Sequence, residues 1–425
     1  MRLLTLTAAL ALTAGVAHAD LVFPSLDYRT GPYAPNGIPF ADGYADYFTL
    51  LNERDGGIGG VEARVLPCET GYNTEKGVEC YEATKGEGSL IYQPLSTGIT
   101  YQLIPKATAD NIPVHSMGYG RTSAANGEVF PWVFNYPGTY WDAASIIVKH
   151  IIDQEGGDVS DKKIALVYHN SAYGKEPIRT LEKLSEKHGF DLQLLAVDHP
   201  GQEQKSTWLQ VRRERPDYVV MWGWGVMNQV AIQEAASIRF PMDKFIGVWW
   251  SASENDTRPA GVAANGYKAI TMHGVGDDFA IYDDLKTHVY DKGLSAGAGD
   301  QHGTVLYNRG MQAAMLAAEA ARTAQEIHGV TEITPTMMRD GMEALKITDA
   351  RLEELGLAGF MPTFSVSCDN HAAPGLGAIQ QWDASNQTWS LITDFVAADR
   401  EIVDPLIEED ATAYAQEVGI TPGCM

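Results

Sequence analysis

The chain has 425 residues, of which 45% are hydrophobic and 20% charged, a balance typical of a globular protein with more than one domain. Its 31 Lys and Arg residues against 55 Asp and Glu residues give a formal net charge of −24. So much negative charge repels nucleic-acid phosphates and anionic membrane surfaces. We therefore expect neither as a partner.

Residues 1–19 have the pattern of a secretory signal peptide. Arg2 gives a positive start, an apolar run follows, and Ala17-His18-Ala19 matches an A-x-A cleavage site. The run is shorter than the roughly 20 apolar residues that cross a bilayer. The alternative is a buried first helix; the pattern favours export to the periplasm.

From Leu21 onward, short β-type runs alternate with helical segments, which predicts parallel sheets with helices on both faces. Apolar residues from Phe40 to Leu51 recur at helical spacing, and Gly56-Gly57 ends that helix. The predicted strands are LVFPSL (21–26), VEARVLP (61–67), SLIYQ (89–93), IPVHS (112–116), KIALVYH (163–169), DYVVMW (217–222) and FIGVWW (245–250).

The alternation is interrupted and then restarts. Residues 121–139 are rich in Gly, Pro, Asn and Thr, and a long helix near Tyr140 opens a second series. Long helices near 304–327 and 334–345 fit neither series, and we place them on the first lobe. The fold class is therefore α/β, with two doubly wound lobes. We expect lobe 1 to comprise residues 20–135 plus 273–350, and lobe 2 to comprise 136–272 plus 351–425.

Four cysteines fit an oxidising compartment. Cys68 and Cys80 are close in sequence, and Cys368 and Cys424 both lie near the C-terminus. Two local pairs are the simplest of the three possible connectivities. The alternative is a metal site, but neither a CxxC motif nor a histidine cluster accompanies the cysteines. Structural disulfides are the favoured interpretation.

The sequence contains no GxSxG elbow, HExxH, P-loop or EF-hand motif, so we expect neither catalysis nor a cofactor. Gly118-Tyr119-Gly120 begins like a dinucleotide fingerprint, but Ser123 replaces its third glycine. The local polar group Asp369, Asn370 and His371 beside Cys368 is either an ion or ligand contact or, more in keeping with its setting, a solvated turn.

Several motifs in order resemble the type I periplasmic solute-binding proteins, in particular the leucine/isoleucine/valine-binding branch of ABC importers. The motifs are TGPYAPNG (30–37), GGIGG (56–60), SLIYQPLSTGIT (89–100), IPVHSMG (112–118), ALVYHNSAYGKE (165–176), DYVVMWGWG (217–225) and FIGVWW (245–250). The resemblance implies two lobes joined by three crossings, with the ligand held between them. It also implies an inner-membrane permease and its ATPase as partners, and we expect a monomer.

The resemblance also indicates binding residues. The family's carboxylate-gripping loop matches Ser96, Thr97 and Gly98 before a helix, where backbone N–H groups and a hydroxyl suit an anion. A plain helix cap is the alternative, and the two roles are compatible. The second loop matches Gly118-Tyr119-Gly120. A further wall position falls near Asn36, and the family's two aromatic contacts match Tyr173 and Trp224.

One departure from the family bears on the ligand. Amino-acid binders place an acidic residue soon after the FIG-type strand to pair with the ligand's ammonium, and here Trp249 and Trp250 stand there. An ammonium buried without a countercharge costs several kcal/mol, whereas a cation–π contact returns about 0.5–2 kcal/mol. An ordinary α-amino acid is thus disfavoured unless Glu254, slightly further on, folds inward.

The tryptophans suggest what the ligand is. Trp222 and Trp224 are two residues apart and face one side of a strand end, and Trp249 and Trp250 end the neighbouring strand. Core packing is the alternative for any one of them. With the anion-binding loop opposite, they predict a small carboxylate with an apolar or aromatic body. The other readings are a hydrophobic amino acid or amide, or a ligand-sensing ectodomain. Arg29 and Arg121 could add charge pairing at the cleft mouth, although surface positions are favoured.

Overall fold

This computed structural model describes residues 20–424, so the predicted signal peptide lies outside the described residues. Within that range, no helix combines the length and apolarity needed to pass through a bilayer. The strands are β1 (Leu21–Asp27), β2 (Ala63–Glu69), β3 (Val114–His115), β4 (Val133–Phe134), β5 (Lys163–His169), β6 (Asp191–Val197), β7 (Tyr218–Trp222), β8 (Phe245–Gly247), β9 (Lys268–Thr271), β10 (Lys346–Ile347), β11 (Phe364–Ser365), β12 (Leu376–Asp383), β13 (Thr388–Leu391) and β14 (Val396–Ala397).

The helices alternate with these strands, as the sequence predicts. They are α1 (Ala34–Asp55), α2 (Thr74–Thr84), α3 (Thr97–Asp110), α4 (Tyr140–Gln154), α5 (Ala172–Lys175), α6 (Ile178–His188), α7 (Lys205–Glu214), α8 (Val226–Ser237), α9 (Glu254–Thr257), α10 (Ile281–Leu285), α11 (Val305–His328), α12 (Pro335–Glu343), α13 (Asp349–Glu354) and α14 (Arg400–Val418). Gly56 ends α1 in a left-handed conformation, and the Thr334 side chain caps α12.

The first lobe is built on a parallel sheet. β1 pairs with β2, and β3 pairs with β4. Single bridges join Val22 to Ser89 and Tyr92 to Val114, so the segment 89–93 runs between β1 and β3. This segment, predicted as a strand, forms only isolated bridges, yet it completes the sheet whose strand ends lead into the predicted ligand loops.

The second lobe contains the larger sheet, in the order β13-β12-β9-β8-β7-β5-β6, with β14 paired to β12. The strands from β6 to β9 are parallel, and β12 is antiparallel to β9. β8 ends at Gly247, and Trp249–Ser251 form a short 3-10 helix. The prediction that Trp249 and Trp250 end this strand is therefore wrong, because the Ser251 N–H bonds back to the Val248 carbonyl (2.8 Å) and turns the chain.

The C-terminal third contacts both lobes. β10 and β11 form an antiparallel pair, and Arg351 in α13 forms an ion pair with Glu319 in α11 (2.7 Å). The structure contains both predicted disulfides, Cys68–Cys80 and Cys368–Cys424. The second fastens the chain end beyond α14 to the segment that precedes β12.

Candidate functional site

The predicted anion-binding loop lies at the start of α3. The Ser96 hydroxyl accepts a hydrogen bond from the Ile99 N–H (3.4 Å), so Ser96 is the helix cap. The Thr97 hydroxyl accepts one from the Gly120 N–H (3.1 Å) and ties this loop to the second predicted loop. A β-carbon at Gly98 would lie 2.9 Å from the Thr74 hydroxyl, so glycine keeps the helix start closely packed.

The second loop meets the tryptophans of the other lobe. Gly118 has a left-handed backbone (φ +65°), and its carbonyl accepts hydrogen bonds from the indole N–H groups of Trp249 (2.9 Å) and Trp250 (2.6 Å). The Tyr119 ring stacks on Trp250, with centroids 4.4 Å apart. Trp249 and Trp250 thus contact the first lobe through Gly118 and Tyr119.

Trp222 and Trp224 are fully buried but have different neighbours. Trp224 packs edge-on against Tyr28 of the first lobe (5.9 Å), whereas Trp222 packs against Tyr140 (5.7 Å) within the second lobe. The prediction that both face one side of a strand end is therefore wrong, because β7 ends at Trp222 and Trp224 lies beyond it. Neither indole N–H has a hydrogen-bond partner among the described residues. Leaving such a donor unpaired costs about 1–3 kcal/mol.

A cavity of about 310 Å³ opens between the lobes, and its lining residues include none of the four tryptophans Trp222, Trp224, Trp249 and Trp250. The first lobe contributes Tyr72, Ser96 and Gly98, and the second contributes Tyr173 and His169. The Tyr173 hydroxyl donates a hydrogen bond to the Gly223 carbonyl (2.8 Å), which fixes its ring beside the tryptophan strand end. Three predicted residues, Ser96, Gly98 and Tyr173, thus share one cavity.

Residues 32–36, which we call the clasp, hold the first lobe to the second. The Val226 N–H at the start of α8 donates to the Pro32 carbonyl (3.1 Å). The Asn36 side-chain amide donates to the Asp256 carboxylate (3.2 Å), so Asn36, predicted near the ligand wall, bonds to the opposite lobe. The lobes are therefore closed on each other here.

The clasp includes a tyrosine between two histidines, which the sequence analysis did not identify. The Tyr33 hydroxyl lies 2.9 Å from His169 Nε2 and 2.8 Å from His199 Nε2. Burial, with a smaller contribution from His199, lowers the pKa of His169 to about 4. His169 is therefore neutral at pH 7. The TGPYAPNG motif marked this segment, but the histidines are more than 130 residues away in sequence.

The acidic residues after the FIG-type strand are bound by protein groups. Glu254 accepts a hydrogen bond from the Val305 N–H (3.1 Å) at the start of α11, and burial raises its pKa to about 7. Asp256 accepts hydrogen bonds from the Ser253 N–H (2.9 Å) and from Asn36, and burial raises its pKa to about 6. Both carboxylates are thus already engaged in protein contacts.

The two arginines considered for the cleft mouth are also paired. Arg29 forms an ion pair with Asp42 (2.7 Å). Arg121 forms one with Asp410 (2.6 Å) and lies over the ring of Tyr414, 4.6 Å from its centroid. Arg121 therefore holds α14 against the first lobe.

Asp369 is exposed in a turn, as the sequence predicted, but the prediction is wrong for His371, which is fully buried. Its ring stacks on Phe134 (3.9 Å), its backbone N–H bonds to Ala125, and its carbonyl accepts the N–H groups of Asn135 and Tyr136. His371 therefore holds in place the chain near residue 135, where it passes from the first lobe to the second. Across residues 20–424, no three His, Cys, Asp or Glu side chains form a group able to hold a metal ion.

Arg309, in α11, is a buried cation that the sequence analysis missed. It is 0% exposed and its guanidinium carbon lies 5.1 Å from the Trp250 ring centroid. It donates to the Trp249 carbonyl and, through Nε, to His273 Nε2 (3.2 Å). The available signal was a single charged residue within the otherwise largely apolar segment VLYNRGMQAAML (305–316).

Two parallel-sheet lobes that close on an aromatic cleft define a solute-binding protein. Residues 22–388 match the family model described as periplasmic binding protein. The chain belongs to this family, and it is the substrate-binding component of an ABC importer. Members of the family bind solutes and are not enzymes. A comparison with curated proteins gives no match.

Solved structures agree with this assignment. An ABC transporter permease from the Pseudomonas fluorescens group is 41% identical, with 95% of this chain and 99% of that chain covered and a TM-score of 0.88. A branched-chain amino acid ABC transporter from Thermus thermophilus with bound valine is 18% identical over 92% and 99%, with a TM-score of 0.74. A solute-binding protein from R. palustris in complex with benzoate is 16% identical over 89% and 98%, with a TM-score of 0.68. The last two likenesses show the fold alone.

Proposed function

We propose that this substrate-binding component captures a small carboxylate with an apolar or aromatic body. One observation carries the proposal: aromatic rings of the second lobe contact the polar loops of the first lobe. The nearby carboxylates, Glu254 and Asp256, are already hydrogen-bonded to protein groups. Trp224 and Tyr173 supply the wall for the ligand's body. Ser96 and Thr97 at the start of α3 supply the polar end.

Capture proceeds by closure of the hinge in the periplasm. In the open form the ligand binds to one lobe, and contact with the rings of the other lobe then favours the closed form. The inner-membrane permease and its ATPase receive the closed protein, which acts as a monomer. The predicted signal peptide, residues 1–19, exports the chain.

A hydrophobic amino acid or amide is the alternative ligand class. The valine and benzoate of the Thermus and R. palustris structures represent the two classes. An ammonium requires a countercharge that Glu254, bonded to the start of α11, does not offer while it holds Val305. This favours the carboxylate.

We retain the division into lobes with one change, which places the third crossing after residue 366 instead of near 350. The pairing of β10 with β11 and the Arg351–Glu319 ion pair support the change, because both keep residues 346–365 with α11.

The test is a binding panel on the mature protein by thermal shift and isothermal titration calorimetry. It contains benzoate, phenylacetate, 4-methylpentanoate, benzamide, 4-methylpentanamide, leucine, valine and phenylalanine. We expect at least one of the carboxylates to bind more tightly than its amide and than every amino acid. Binding of leucine or valine below about 10 μM, roughly −7 kcal/mol, with no response to any carboxylate, would reverse the ranking.

A further inference from the structure

Arg309 brings a positive charge to the buried contact between the two lobes. Its helix, α11, belongs to the first lobe, but its guanidinium donates to the backbone carbonyl of Trp249 in the second. The guanidinium also lies against the Trp250 ring, which stacks on Tyr119 and meets Trp224 edge-on (5.3 Å). A single ring therefore separates the cation from the proposed ligand wall.

This charge is not balanced by a carboxylate in contact. None of the ion pairs within residues 20–424 includes Arg309, whose hydrogen bonds go to the Trp249 carbonyl, to His273 and, at 3.5 Å, to the Thr271 hydroxyl. Burial lowers the pKa of Arg309 to about 9, so the side chain remains charged at neutral pH. Glu254 acts on it electrostatically, but its pKa of about 7 leaves it only partly ionised there.

We propose that Arg309 supplies the positive charge that selects an anionic ligand in the cleft over a neutral or cationic ligand of the same shape. This inference rests on the proposed function, because the group it selects is the ligand's carboxylate. Arg309 is a specificity-determining residue that acts on the ligand's carboxylate across the Trp250 ring. Ser96 and Thr97 make the direct contacts with that carboxylate.

The physical basis is weak screening. A charge in a fully buried, ring-lined region, offset only in part by Glu254, is screened much less than a surface charge, so its potential extends through Trp250 toward the cleft. The carbonyl contact from Trp249 and the ring face of Trp250 stabilise the cation without neutralising it. A carboxylate completes the charge balance, and an ammonium is repelled.

The experiment measures the ratio of the affinities for benzoate and benzamide, and for 4-methylpentanoate and its amide, by calorimetry at pH 8. Glu254 is mostly ionised at that pH. Wild type is compared with Arg309→Met, Arg309→Lys and Glu254→Gln. We expect Arg309→Met to lower the carboxylate-to-amide ratio by about tenfold or more, and Arg309→Lys to retain most of it. Glu254→Gln, which removes the opposing charge but keeps an oxygen for Val305, should raise the ratio about two- to fivefold.

The outcomes separate the two proposals. If wild type binds a carboxylate and neither Arg309→Met nor Glu254→Gln changes the ratio, this inference is wrong while the proposed function stands. If wild type binds no carboxylate of the panel, the proposed function is wrong and the inference with it. Should Arg309→Met fail to fold, Glu254→Gln decides: a raised ratio supports the inference and an unchanged ratio overturns it.

Discussion

At the scale of single residues, Trp224 connects the two lobes through one side chain. It follows β7 of the second lobe, but its ring lies against Tyr28 and Tyr72 of the first. Its indole N–H has no partner among the described residues. The ring therefore joins the two lobes, and its unpaired N–H is the donor that the proposed function offers to a ligand oxygen.

Replacing Trp224 by alanine should weaken carboxylate binding by about 2 kcal/mol or more, roughly 30-fold, because a buried aromatic anchor is lost. Calorimetry with the tightest carboxylate of the panel measures it. Trp208→Ala is the matched control, since Trp208 is equally buried but packs on Phe245, in the second-lobe core. That variant should lose stability and keep its affinity. Equal affinities in both variants would place Trp224 outside the site.

His169 predicts how binding depends on pH. Burial lowers its pKa to about 4 in the closed form, whereas an exposed histidine titrates near 6.5. Because His169 is neutral in the closed form, it contributes fully to the stability of that form above its ordinary pKa of about 6.5. This stabilisation of the closed form is lost as the pH falls from 6.5 toward 4. The Tyr33 hydroxyl of the clasp lies between His169 and His199, and burial lowers the pKa of His199 as well.

We therefore expect affinity to fall about tenfold between pH 6.5 and pH 5, because protonation of His169 opposes closure. His169→Gln should flatten that profile. His150→Gln is the control: burial likewise lowers the pKa of His150 to about 4, but it lies on α4, outside the cleft contacts. A profile that His169→Gln leaves unchanged would exclude the clasp as its origin.

At the scale of elements, the crossing of α1 and α11 holds the first lobe together. Gly43 in α1 faces the Tyr307 carbonyl, and Gly310 in α11 faces the Phe40 carbonyl. A β-carbon at either position would overlap backbone atoms of the opposite helix. Arg309 lies next to this contact, so the crossing also sets the position of the buried cation.

Gly310→Ala should lower the free energy of unfolding by about 1–3 kcal/mol or more, because the two helices must move apart to admit the methyl group. Urea denaturation measures it. Gly86→Ala is the control, since a β-carbon there meets no atom within 4 Å. A Gly310→Ala variant as stable as the Gly86→Ala variant would contradict the tight crossing.

At the scale of the whole molecule, α14 fastens the two lobes together. Near its start, Asp399 pairs with Lys187 of the second lobe (2.6 Å). Midway along it, Asp410 pairs with Arg121 (2.6 Å). The Cys368–Cys424 disulfide then closes a loop spanning 56 positions of sequence separation. The Arg121–Asp410 pair joins α14 to the first lobe, and the disulfide anchors the segment that follows α14, so both limit how far the lobes can separate.

Removing this disulfide with Cys368→Ser and Cys424→Ser should lower the free energy of unfolding by about 4 kcal/mol, the loop-entropy value for so long a loop. Removing Cys68–Cys80, with its separation of 12, should cost about 3 kcal/mol. Chemical denaturation of both double variants measures the difference. Only loss of Cys368–Cys424 should also widen the ligand-free protein in small-angle scattering; equal dimensions would contradict a role for α14 in holding the lobes.

The sequence by itself determined the fold class, most of the secondary-structure elements and the two disulfides. Strand patterns such as KIALVYH, the cap at Thr334 and the local cysteine spacings are signals within short segments, and local sequence is sufficient to specify them. The position of Trp224 is different: β7 ends at Trp222, so Trp224 lies beyond the strand and the two-residue period does not place it.

Only the tertiary structure decided which groups surround the cleft. The bonds between Tyr33 and His169, the indole donors on the Gly118 carbonyl, and Arg309 beside Trp250 join residues that are far apart in sequence. The burial of His371 and the hydrogen bond from the Val305 N–H to Glu254 likewise depend on residues that are far apart in sequence. Such contacts depend on how the two lobes pack against each other. Periodicity and propensity are properties of short segments, so they cannot predict that packing.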